Sequence, residues 1–113
     1  MSQHDVAVCL RQMRDHAREA IALTSGKTKK DLDADRVLNL ALVRLLEVIG
    51  EAANRVPPEE RARYPQIPWP QIIGLRNRLI HGYDQVDLDI VWEIVKHHLA
   101  ALVRQLDGIV GAG

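Results

Sequence analysis

Apolar residues return every third or fourth position along almost the whole chain, and this narrows the fold before anything else is considered. Val6, Leu10, Met13, Ala17, Ala20 and Ile21 fall on one face of a helix that advances 3.6 residues per turn. That helix is expected to stop near Ser25-Gly26, because glycine takes the left-handed cap conformation without steric penalty. The charged stretch Lys27 to Asp35 reads as a short connection, with Asp33 or Asp35 available to cap the next helix. From Asp35 to Arg55 the beat is densest: Leu38, Leu42, Leu45, Ile49 and Ala52 form one stripe, widened by Leu40, Val43, Leu46 and Ala53. A helix apolar around most of its circumference is central, or shared with a second subunit. Prolines gather at 57, 58, 65, 68 and 70, leaving room for one helical turn at Glu59 to Arg63. A helix then runs from Pro70 to Ile80, with Gly82 as its cap. Asp87 caps the last helix, whose buried face is Leu88, Val91, Trp92, Val95, Leu99, Leu102 and Leu106. No segment shows a convincing period of two. The expectation is an all-α fold, a four- to five-helix bundle filling one domain over residues 1–113.

Composition removes several functions. Apolar residues make up 47% of the chain, enough for a real core, so a linker or disordered segment is excluded. Fifteen basic residues balance fifteen acidic ones, which excludes a simple polybasic nucleic-acid binder. The single cysteine, Cys9, can form no intramolecular disulfide and belongs to no multi-cysteine zinc site. No apolar run reaches the ~18 residues that span a bilayer, and the first residues resemble no signal peptide. A cytoplasmic protein with no membrane partner and no cofactor is expected.

Some stretches imitate chemistry. Ser25-Gly26-Lys27-Thr28 resembles the end of a phosphate-binding loop, but Ile21 stands where that loop needs glycine and no strand precedes it. His97 and His98 are adjacent, so they diverge by about 100° on a helix and do not chelate one metal. Cys9 falls on an apolar helix face and reads as an inert core thiol. Arg44, Glu47, Glu51, Asn54 and Arg55 form one narrow polar stripe, normally a solvated face and alternatively the wall of a functional groove.

The stretch from Leu75 to Asp84, LRNRLIHGYD, concentrates two arginines, a histidine, a tyrosine and a glycine at a helix end. Histidine, with an ordinary pKa near 6.5, exchanges protons at neutral pH. Arginine stays charged and presents a planar fork suited to a phosphate gaining negative charge. Arg76, four residues, His81, one residue and Tyr83 reproduce an R-x4-H-x-Y pattern. In this the chain resembles the HEPN-domain ribonucleases, and within them the HepT-like toxins. Ile49-Gly50-Glu51-Ala52-Ala53, Ile67-Pro68-Trp69 and Asp87 to Trp92 fit the same family, and the likeness runs over residues 5 to 106. Ala100 departs from it, since relatives often carry proline there.

The resemblance implies a metal-independent endoribonuclease, the toxin of a two-component system of the type VII kind. Its catalytic residues would be Arg76 and His81, with Asn77 and Arg78 supporting RNA binding. Its partner would be an MntA-like nucleotidyltransferase antitoxin that transfers AMP from ATP onto Tyr83 and silences the toxin. Family members form homodimers whose motifs face a shared cleft. The competing reading is a non-catalytic HEPN module that binds nucleotide or RNA, or docks a nucleotidyltransferase. Spacing poses a geometric problem, because on an unbroken helix Arg76 and His81 diverge by about 140°. Either the helix loosens before Gly82, or the working pair assembles across a dimer. Arg55, Arg61, Arg63, Arg76 and Arg78 make segment 55–83 basic, so neutral net charge can conceal an RNA-binding face.

Overall fold

The computed structural model describes residues 1–81 and 85–111, with backbone alone at Ile80 and His81. Among the described residues the chain forms eight helical segments and one two-stranded pairing, so the all-α expectation holds. Helix α1 spans Gln3–Thr24 and opens with a capping box. The Ser2 hydroxyl accepts the Asp5 N–H at 3.1 Å, and the Asp5 carboxylate accepts the Ser2 N–H at 3.2 Å. Its buried face is the predicted one, with Val6, Leu10, Met13, Ala17 and Ala20 almost wholly enclosed and Cys9 among them. Gly26, at φ +73°, follows the helix end in the left-handed region.

The charged connection is not a plain loop. Lys29–Ala34 forms a short helix, α2, capped by a second reciprocal pair, Thr28 with Asp31. Two features explain the difference. The capping box satisfies the first-turn N–H groups, and Leu32 is fully buried, which anchors the segment to the core. Thr28, part of the phosphate-loop imitation, is thereby occupied as a helix cap. Asp35 ends α2 and caps α3 (Arg36–Arg55), accepting the Leu38 N–H at 3.0 Å.

Helix α3 is central, packing against α1 along its length and against every later helix except α4 (Pro58–Arg61) and α8 (Leu99–Val110) among the principal contacts. Leu42, Leu46, Ile49, Ala52 and Ala53 are fully buried, whereas Val37 and Leu40 remain exposed. After α4, Trp69 fastens the proline-rich turn by donating its indole N–H to the carbonyls of Arg61 and Tyr64, both at 3.1 Å.

The single helix expected over Pro70–Ile80 is divided. Helix α5 covers Trp69–Ile73, Gly74 interrupts, α6 covers Leu75–Leu79, and the chain then becomes extended. Strand β1, Ile80–His81, pairs antiparallel with β2, Gln85–Val86, in the register Ile80 to Val86 and His81 to Gln85. Strands of two residues are too short to leave an alternating signature in a sequence. The proposed cap Gly82 lies outside the described residues.

The last predicted helix is also two. Helix α7 (Leu88–His97) is capped by Asp87, which accepts the N–H groups of Asp89 and Ile90 at 3.0 and 3.2 Å. His98, at φ −122°, breaks the run before α8. Position 100 thus falls in the first turn of α8, where proline and alanine are both tolerated, so Ala100 requires no change of shape. The apolar stripe continues across the break through Val91, Ile94, Val95, Leu99, Leu102 and Leu106, with Leu88 and Trp92 only partly covered. Among the described residues one charged side chain enters the core. Arg14 is 5% exposed, bonded to the Gly111 carbonyl and 3.6 Å from Asp107, which ties α1 to the end of α8. Among the described residues no helix is long and apolar enough to cross a membrane.

Candidate active site

The motif begins on α6, a helix of five residues whose orientation is fixed from below. Leu75 and Leu79 are buried, four positions apart, and clamp one side of the turn to the core. Arg76, Asn77 and Arg78 are consequently all exposed. The close seating of this segment on α3 depends on Gly50. A Cβ there would lie 3.0 Å from the Ile72 carbonyl oxygen and 3.8 Å from the Leu75 Cβ.

Arg76 turns toward α3, its Nε 4.0 Å from the Glu47 Oε2, with the arginine side chain 75% exposed and the glutamate 26%. The polar stripe of α3 is therefore not simply solvated, because Glu47 faces the motif arginine. The spacing alone marks the stripe without saying what lies opposite it. Glu51, one turn further on, pairs with Arg44 at 3.3 Å, so each member of the like-charged Glu47–Glu51 pair has an arginine of its own.

The geometric problem of the R-x4-H spacing resolves at the helix end. Because α6 stops at Leu79, His81 lies on extended backbone and the divergence of about 140° does not apply. Tyr83 lies outside the described residues. His81 is held at backbone level opposite Gln85, and the Asp87 N–H donates to the Leu79 carbonyl at 2.8 Å behind it.

The five arginines of the basic segment separate into two groups. Arg61 donates to the carbonyls of Val56 and Asn54, Arg55 to the Gln12 side chain, and Arg63 to Gln3 and Glu60. Arg61 and Arg63 hold the turn after α3, and Arg55 ties the end of α3 to α1. Arg76 and Arg78 remain at the motif, and among the described residues the Arg78 side chain makes no hydrogen bond or ion pair. The adjacent histidines stay on the surface as expected, both beside Glu93, at 4.0 Å from His97 and 3.5 Å from His98.

A family model described as "Ribonuclease HepT-like" matches residues 13–109. "Putative RNase MJ1380" of Methanocaldococcus jannaschii is 31% identical over 107 residues, 95% of this chain and 98% of that protein. "Probable ribonuclease HepT" of Thermococcus cleftensis is 35% identical over 88 residues, 74% of this chain and 80% of its own length. The "mRNA nuclease HepT" of Shewanella oneidensis is 28% identical over 101 residues, covering 72% and 76%. No solved structure matches.

Proposed function

The chain belongs to the HepT-like ribonuclease family, and from that premise we propose that it is a metal-independent endoribonuclease, the toxin of a two-component module. One observation carries the reading: Arg76 stands on an exposed helical turn and His81 on the extended segment that follows at once. RNA brings its own nucleophile, the 2′-hydroxyl. His81 removes that proton, the 2′-oxygen attacks the neighbouring phosphorus, and the bond to the 5′-oxygen breaks. The imidazolium returns a proton to the departing oxygen, giving a 2′,3′-cyclic phosphate and a 5′-hydroxyl end. Arg76 neutralises the charge that grows on the phosphate in between. Asn77 and Arg78 support the bound strand. An RNA substrate and a cytoplasmic setting belong to the same reading.

The reading includes a homodimer. Its support is the surface that α3 leaves uncovered, with Val37 76% and Leu40 54% exposed. Beside them runs a groove of about 570 Å³ between α3 and Gln85, Val86 and Leu88. Gln85 is the strand partner of His81, so a second copy seated there approaches the segment that carries the motif histidine. The reading also includes silencing by an MntA-like nucleotidyltransferase. Transfer of AMP from ATP would form a bond from phosphorus to the Tyr83 oxygen and release pyrophosphate. Two exposed arginines on α6 supply a counter-charge for that phosphate.

The deciding experiment is cleavage of RNA by the purified chain in EDTA. Activity is expected, and Arg76→Ala and His81→Ala should each abolish it without loss of helical content. Cleavage that needs added divalent metal, or that survives both substitutions, overturns the mechanism.

A further inference from the structure

Arg76 and Arg78 stand two positions apart on α6, so they project about 200° from one another. Arg76 meets α3. Arg78 instead lines a second groove, of about 430 Å³, between α5–α6 and the break where α7 passes into α8. Its apolar lining includes Ile72, Leu75 and Leu102. Three glutamines, Gln66, Gln71 and Gln105, supply amides, and His98 joins Arg78 as a second basic group. Among the described residues no carboxylate lines the groove, although Glu93 lies 3.5 Å from His98. The Gln105 amide donates to the Gln66 main-chain carbonyl at 3.0 Å, which fixes one of the three, while the Gln71 side chain has no hydrogen-bond partner among the described residues.

We propose that this groove is a base subsite, holding one nucleotide of the RNA beside the scissile phosphate and contributing sequence preference; the proposal rests on the ribonuclease reading above. Its size lies near the lower end of the roughly 300–1,000 Å³ of small-ligand sites, which suits one nucleotide and is short for a docked helix. Its charge is complementary to a phosphate, with Arg78 exposed at one wall and no acid among the described lining residues. An apolar floor receives the flat face of an unstacked base, and glutamine amides carry both a donor and an acceptor for its edge. A strand crossing α6 would place one phosphate at Arg76, the next at Arg78, and the intervening base toward Gln71.

The test uses the isotopically labelled full chain titrated with AMP, GMP, CMP and UMP, and separately with inorganic phosphate. Resonances of Gln71, Leu102 and Gln105 should move with the nucleotides and not with phosphate, and one base should bind at least threefold more tightly than the weakest. In the double variant Gln71→Ala, Gln105→Ala the four affinities should fall within twofold of each other. The variant's cleavage sites on a mixed-sequence RNA should lose the base preference of the parent. Nucleotides that move only resonances near Arg78, as phosphate does, or base preference that is intact in the double variant, overturn the subsite. Base-selective binding in a chain that cleaves no RNA would sustain the subsite and defeat the ribonuclease reading instead.

Discussion

Arg76 and Glu47 are 4.0 Å apart with the arginine largely in solvent, and surface pairs of this kind contribute about 0–1 kcal/mol. A phosphate offers the guanidinium two parallel charge-assisted hydrogen bonds, so under the proposed mechanism a substrate phosphate would displace Glu47. Arg76→Lys retains the charge and loses the fork; cleavage should fall about 10- to 100-fold, which an initial-rate assay reads directly. A residual rate equal to that of the parent would show that only charge matters at this position. Tyr83 is the proposed site of silencing. Mass spectrometry after co-expression with the cognate nucleotidyltransferase should find added AMP on the peptide containing Tyr83, and Tyr83→Phe should stay toxic in its presence. AMP on another peptide would remove Tyr83 from the scheme. At this scale the sequence supplies the candidates for chemistry, because arginine, histidine and tyrosine carry their reactivity with them. It did not reveal that Glu47 faces Arg76, because a polar stripe looks the same whether water or another helix lies opposite.

The helices explain how the motif is presented. Gly50 lets α5 lie against α3, and adding a methyl group there would press on the Ile72 carbonyl oxygen. Removing glycine from a helix interior gains about 0.5–1 kcal/mol, while forcing an extra carbon into close packing costs about 1–3 kcal/mol. Gly50→Ala should therefore destabilise the fold and reduce cleavage by shifting α6. Gly108, exposed near the end of α8, has nothing within 4 Å of the same position. Gly108→Ala should stabilise by about 0.5 kcal/mol, and denaturant unfolding of the two variants should give opposite signs. The caps respond to acid. Hydrogen bonds from the Thr28 N–H and hydroxyl hold the Asp31 carboxyl below its ordinary value of 3.8. A lowered folded pKa gives stability that is complete above the unfolded value and lost as pH falls through the folded one. Amide exchange at Leu32 should accordingly quicken below about pH 3.8 relative to the rest of the core, and Asp31→Asn should flatten that dependence.

For the whole molecule, the uncovered surface of α3 is the main unsettled energy. Leu40 lines the groove that borders β2, Val37 is exposed three residues before it, and burying two such side chains yields about 1.5–3 kcal/mol each. Light scattering should give twice the 12.7 kDa chain mass, and Leu40→Arg should return the monomer. If the parent chain is a monomer at all concentrations, the shared-cleft arrangement fails. Loss of cleavage in a Leu40→Arg monomer that keeps its fold would place the second copy in the working site.

Periodicity determined the all-α class and the buried faces of α1 and α3, Leu40 excepted, and residue type marked the caps at Gly26, Asp35 and Asp87, because each follows from residues within one element. The composition of residues 75–84 marked the stretch for which chemistry is proposed. Tertiary structure decided the interruptions. The Lys27–Asp35 stretch becomes helical because Leu32 finds a place in the core. The Pro70–Ile80 helix divides at Gly74 and gives way to strand after Leu79, where β2 returns to pair with β1. The Thr28–Asp31 cap is a local signal, but a helix of six residues or a strand of two gains its stability from partners distant in sequence. The most consequential of these is the end of α6 at Leu79, which takes His81 off the helix that carries Arg76. The spacing of the motif is written in the sequence, and its geometry is set by the strand that meets it.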